Sequence, residues 1–74
     1  MSDKAKELLL GLFNHLHNND SIEYRYSDAP EEKSAELRAF KELTEAGYII
    51  KKGSAIGFTL VSITPSGKIA AEQL

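Results

Sequence analysis

The 74-residue chain contains no cysteine. That excludes a disulfide framework and a thiolate zinc site, and it fits a reducing compartment. No apolar run approaches the ~18 residues a membrane span needs, and the N-terminus has no apolar segment leading to a small-residue cleavage site. The expected location is the cytoplasm. A surplus of positive charge is also missing. Nine Lys and Arg stand against eleven Asp and Glu, for a net charge of −2. DNA binding draws much of its affinity from cations that neutralise phosphates, so any nucleic-acid surface here has to be a local patch.

What remains is an ordinary globular composition, 42% hydrophobic and 27% charged. The length allows a single domain over residues 1–74 with one small core. Such a chain buries only ~60–65% of its unfolded surface, which makes association into a homodimer a reasonable source of extra stability. The charge is unevenly placed. Residues 28–46 hold three cations and six carboxylates, whereas residues 47–74 hold three cations and one carboxylate.

Ser2 and Asp3 suit the N-cap of a first helix running to about Asn18. Leu8, Leu9, Leu12, Phe13 and Leu16 form one stripe on it, and Leu10 falls off that stripe. Leu10 is either a solitary exposed leucine or a contact with a second chain. Asn18-Asn19-Asp20 suits a turn. Ile22, Tyr24 and Tyr26 then alternate with Glu23 and Arg25, the period of a strand.

Asp28-Ala29-Pro30-Glu31 has capping-box spacing, with an early proline and acidic residues in the first turn. Leu37, Phe40, Leu43 and Thr44 mark the expected core face of the helix that follows, with Lys33 extending the line. Ser34, Arg38, Lys41, Glu42 and Glu45 point outward. Gly47 supplies the left-handed stop. Between Asp28 and Ala35 there is no room for a separate helix and a tight turn. Either a middle helix is missing, or one helix of about seventeen residues replaces two.

Tyr48–Lys52 and Phe58–Ile63 are β-rich, and Gly53-Ser54-Ala55-Ile56-Gly57 reads as a five-residue hairpin loop between them. Thr64 caps a last helix from Pro65, which brings Ile69, Ala70 and Leu74 onto the body. The expected fold class is α+β, in the order α-β-α-β-β-α with a three-stranded antiparallel sheet.

Leu43-Thr44-Glu45-Ala46-Gly47-Tyr48-Ile49-Ile50 resembles the end of the recognition helix in winged-helix regulators of the MarR and PadR kind, as found in bacteria and phages. Ile63-Thr64-Pro65-Ser66-Gly67-Lys68 is similar to the signature that follows their wing. The resemblance covers about residues 30–74 and, generically, the first helix, with a reduced or missing middle helix. It implies a DNA surface built from Ser34, Arg38 and Lys41 toward the major groove, with Lys51, Lys52 and Ser54 toward the backbone or minor groove. Glu31, Glu32, Glu36, Glu42 and Glu45 lie on the same helix, and carboxylates near phosphates oppose binding.

Catalysis has no motif behind it. Gly53–Gly57 is neither a nucleophile elbow nor a phosphate loop, since neither a helix nor a Lys-Ser/Thr pair follows. His15 and His17, two apart on a helix, point away from each other and cannot share a metal ion. Tyr24, Tyr26 and Tyr48 beside Arg25, Lys51 and Lys52 could stack single-stranded nucleic acid, but tyrosines at this spacing more often pack a sheet against helices. No cofactor and no small-molecule substrate is expected. The expected function is a DNA-binding or accessory transcription regulator. The competing expectation is a protein-interaction module on the same fold, using Leu10, the acidic helix face and the last helix. If Arg38, Lys41, Lys51 and Lys52 form one patch unbroken by the glutamates, the first is favoured; if the glutamates interrupt it, the second is.

Overall fold

Ser2 supplies what the opening turn of a helix lacks. Its hydroxyl accepts from the Ala5 N–H at 3.2 Å, and its carbonyl accepts from the Lys6 N–H at 3.0 Å. Helix α1 accordingly runs from Asp3 to His15. The computed structural model describes residues 1–15 and 21–74. After α1 come β1 (Ile22–Arg25), α2 (Pro30–Glu45), β2 (Ile49–Ala55), β3 (Phe58–Ile63) and α3 (Pro65–Glu72). The architecture is α+β, with three helices and a three-stranded antiparallel sheet in the spatial order β1-β3-β2. The element order is the one expected from the sequence. The expected helical extension through Leu16 and His17 to Asn18, and the turn at Asn18-Asn19-Asp20, lie outside the described residues.

The core forms where one face of each element meets the others. Ala5, Leu8, Leu9 and Leu12 enter from α1, Ala39, Phe40 and Leu43 from α2, Ile49, Val61 and Ile63 from the sheet, and Ala71 from α3. Phe13 and Leu10 are half-buried. Tyr24 and Tyr26 meet the Phe40 ring edge-on, with centroids at 4.9 and 5.9 Å. Tyr24 of β1 and Tyr26 just beyond it thus pack against α2.

The stripe on α2 departs from the expected one. Leu37 is 41% exposed and Thr44 faces solvent, whereas Glu36 is only 4% exposed. Burying a carboxylate is costly unless its oxygens are satisfied. Here both are: the Tyr24 hydroxyl donates to one and the Ser27 N–H donates to the other at 2.8 Å. Thr44 turns its hydroxyl onto the Phe40 carbonyl of its own helix, at 2.7 Å. The helix start also differs. Asp28 does not cap α2, and Ala29 takes the N-cap position without a side-chain bond. Ser27 instead accepts from the Ala29 N–H at 3.1 Å, and Pro30 opens the helix with no N–H to satisfy. One helix of 16 residues fills the segment, with no separate middle helix between β1 and β2.

Gly47 ends α2 as expected. Its φ is +79°, and Tyr48 and Gly47 donate to the carbonyls of Leu43 and Thr44 at 3.0 and 3.1 Å. This is a Schellman closure, which suits a residue without a Cβ. The hairpin is tighter than the expected five-residue loop. Strand β2 continues through Gly53, Ser54 and Ala55, and only Ile56-Gly57 turns. The register shifts where Lys51 pairs with Val61 and Gly53 with Leu60, leaving Lys52 as the extra residue of a β-bulge.

Thr64 starts α3 and closes the fold. Its hydroxyl accepts from the Gly67 N–H at 3.0 Å and donates to the Gly47 carbonyl at 2.6 Å, while its N–H donates to the Tyr48 carbonyl at 3.0 Å. Gly67 sits so close that a Cβ there would lie 2.1 Å from the Tyr48 carbonyl oxygen and 2.7 Å from Ile63 Cγ2. The helix therefore buries its small residues, Gly67 and Ala71, whereas Ile69 and Leu74 stay exposed, contrary to expectation.

This close approach is testable. Gly67→Ala should cost about 1–3 kcal/mol, the usual range for overpacking, and more if the Tyr48 backbone cannot shift. Ser66→Ala, at an exposed neighbour, should stay within about 0.5 kcal/mol of wild type. Equal urea midpoints for the two variants would contradict the packing.

Candidate functional site

Charge on α2 is sorted by helical angle. Measured from the core-facing Phe40, Glu36, Glu32 and Glu42 fall roughly 40°, 80° and 160° to one side, at ~100° per residue. Each is tied to a neighbouring element. Lys4 of α1 bridges to Glu32. Tyr24 and Ser27 hold Glu36. The Ser2 N–H donates to Glu42 at 2.8 Å, and these Ser2 contacts hold the Glu42 carboxyl below its usual range.

Lys33, Leu37 and Lys41 fall roughly 20°, 60° and 100° to the other side, and four-residue steps make them one ridge. All three are exposed. Strand β2 meets this side of the helix through Lys51, whose ammonium stands 5.9 Å from the centre of the Phe40 ring. The Lys33 ammonium is 5.9 Å from the Tyr26 ring, and Tyr26 itself lies edge-on to Phe40. Two lysines distant in sequence therefore rest on one aromatic pair, a placement that favours cations. Lys52 follows at the bulge, where an extra residue re-aims the strand. Among the described residues Lys33, Lys41, Lys51 and Lys52 make no ion pair.

The residues expected from sequence divide as follows. Lys41 and Lys51 belong to this cationic side, Lys52 is the exposed extra residue of the bulge that follows, and Ser34 is exposed on the outer face of α2. Arg38 lies toward the α1 edge, around a shallow depression shared with Ser2 and Glu42. Glutamate therefore interrupts the patch at Arg38 but not along Lys33–Lys41. Ser54 is not in a loop; it pairs with Thr59 within the β2–β3 ladder. Leu10 belongs to α1 and is half-buried. Glu31 and Glu45 stay exposed on the solvent side of α2.

Two features escape the sequence pattern. Periodicity assigns Lys33 to the core line, whereas its ammonium sits at the rim over Tyr26. The bulge has one signal, a glycine at position 53 inside a strand-like run, which marks such irregularities.

Among the described residues no group of three His, Asp or Glu is placed to hold a metal ion. His15 uses Nδ1–H on the Gly11 carbonyl at 2.8 Å, and His17 lies outside the described residues. A depression of about 510 Å³ between α1, β1 and α2 is lined by groups of both signs, including Glu7, His15, Arg25 and Glu32. No described helix is long and apolar enough to cross a membrane. Comparison with protein families, with characterised proteins and with solved structures finds no match to the chain.

The Tyr24–Glu36 contact makes stability depend on alkaline pH. Burial first, then the hydrogen bond and charge of Glu36, push the Tyr24 hydroxyl well above its ordinary value. Burial also raises Tyr26, against a smaller opposing effect of the Thr59 hydroxyl. The folded chain thus holds these protons more tightly than the unfolded chain. Their contribution is complete below ~pH 10, where an unfolded tyrosine keeps its proton, and it declines as pH rises further. Tyr24→Phe should flatten that decline in unfolding free energy, while costing about 1–3 kcal/mol at neutral pH by leaving a Glu36 oxygen unpaired. An alkaline slope identical to wild type would contradict this.

Proposed function

We propose that this chain is a small winged-helix domain that binds duplex DNA, as a transcription regulator or an accessory to one. The sorting of charge on α2 carries the reading. Its glutamates at positions 32, 36 and 42 are held by α1 and β1, so they do not face a ligand on the opposite side. Lys33, Lys41 and Lys51 are left on that side, with Lys52 next to them at the bulge, and none has a described ion pair. The element order and the contact between the helix stop at Gly47 and the cap at Thr64 also support it. In this reading α2 seats on the duplex and the β2–β3 hairpin is the wing. The lysines contact phosphates, which gives affinity but no sequence preference. Ser34, exposed on the outer face, supplies a donor for base edges, whereas Arg38 stands beside Glu42 and off this side. Glu31 and Glu45 weaken binding at the helix ends, so affinity is modest and strongly salt-dependent.

A second reading has its own observation. Ile50 is 52% exposed, and Leu60 is exposed on the next strand. Register puts both on the face of the sheet turned away from α2. Such a patch suits self-association or a protein partner. The interruption at Arg38 also favours this reading; against it, Glu32, Glu36 and Glu42 of the acidic helix already have partners within the fold, and on that ground DNA binding is preferred.

Fluorescence anisotropy with a random-sequence duplex tests it. Wild type should bind at low salt, and Lys33→Gln/Lys41→Gln/Lys51→Gln should lower the slope of log affinity against log salt by about 3, near one unit per lost phosphate contact. Absence of binding at low salt, or an unchanged slope in the triple variant, would overturn the reading.

A further inference from the structure

The tip of the β2–β3 hairpin carries an apolar residue where turn chemistry does not ask for one. Ile56 is fully exposed, at 102% of its reference area. It is the first of the two turning residues, and Gly57, at φ +88°, takes the left-handed second position. Gly57 alone therefore meets the conformational demand. Turns of this kind usually place proline or a short polar residue where Ile56 stands.

The tip is also held in place. Ala55 pairs with Phe58 directly behind it, and the Gly57 carbonyl accepts the Tyr26 N–H at 2.9 Å. Ile56 is thus presented on a braced two-residue turn. The hairpin behind it has cations and no carboxylates: Lys51 and Lys52 are its charged residues, and no Asp or Glu occurs between Ala46 and Ala71. At ~3.3 Å per residue, those lysines lie ~13–17 Å behind the tip.

We propose that Ile56 is an apolar wedge that enters a base step of duplex DNA from the minor-groove side and partly unstacks it, while Lys51 and Lys52 hold flanking phosphates. The proposal rests on the DNA-binding reading. Cations flanking a single projecting apolar group match a polyanion with an apolar interior. The minor groove, ~6 Å wide, admits a tip one side chain broad. Inserted aliphatic side chains kink the duplex and bring more of it against the protein. A lipid surface fits less well, because one isoleucine offers less apolar area than a single acyl chain, which itself anchors only reversibly.

The test is a duplex with 2-aminopurine at TA steps, the most readily unstacked. Saturating wild type should raise 2-aminopurine fluorescence. Ile56→Ala and Ile56→Ser should lose that rise and bind severalfold more weakly with the wild-type salt slope, and Ile56→Leu should keep it. Because Ile56 touches nothing in the fold, all three variants should retain the wild-type unfolding midpoint. If DNA binds without a rise, or Ile56→Ala keeps the rise, the wedge is wrong and DNA binding stands. If wild type binds no DNA, both fall. If the same variants instead lose co-sedimentation with phosphatidylserine vesicles, and wild type gives no rise on DNA, the tip belongs to lipid and the wedge is overturned.

Discussion

Thr64 joins the two turning points on which the chain's geometry depends. Its side chain binds the Gly47 carbonyl, where α2 ends, and the Gly67 N–H, where α3 begins. Its own N–H takes the Tyr48 carbonyl between them. Gly67 lets the α3 backbone close against that same carbonyl, where any Cβ would collide. Strand β2 leaves directly from this junction, so its angle to α2 is fixed there. That angle brings the Lys51 ammonium over the Phe40 ring. A local backbone constraint thus sets the geometry of the charged surface.

The same surface depends on where the acids go. A helix with five glutamates is a poor candidate for phosphate contact on composition alone. Packing changes that by giving three of them partners inside the fold. Glu36 ties α2 to the end of β1, Glu32 ties it to α1, and Glu42 receives the N–H of Ser2. These contacts also fix how α2 is rotated about its axis. Rotation buries Glu36 and exposes Leu37, and it turns the Lys33–Lys41 ridge outward beside Lys51.

Element order and most chain reversals were legible in the sequence because their causes are local. Gly47 ends a helix through its own dihedral preference, and Thr64-Pro65 starts one through its own hydroxyl and ring. The exchange of Glu36 for Leu37 was not legible, because the groups that satisfy the carboxylate come from another element. Asp28 was displaced as a cap for a similar reason: α2 begins one residue later than the capping pattern requires, and Ser27 takes the free N–H. The last helix misled by hydrophobicity, since close approach at Gly67 favours small residues and leaves Ile69 outside. In the candidate site Lys41, Lys51 and Lys52, all exposed, were singled out by the winged-helix resemblance. Lys33 was hidden by its place on the apolar line, and Ser54 by a loop that is in fact strand.

The central claim is that ligand contact is confined to the side of α2 opposite its tied glutamates. Amide chemical-shift mapping during titration with a random-sequence duplex tests it most directly. Perturbations should cluster at Lys33, Leu37 and Lys41 and along Lys51–Gly57, fading as salt is added, with the amides of Glu32, Glu36 and Ser2 unmoved. Perturbations centred on the α1–β1–α2 depression, or none at any salt concentration, would contradict it.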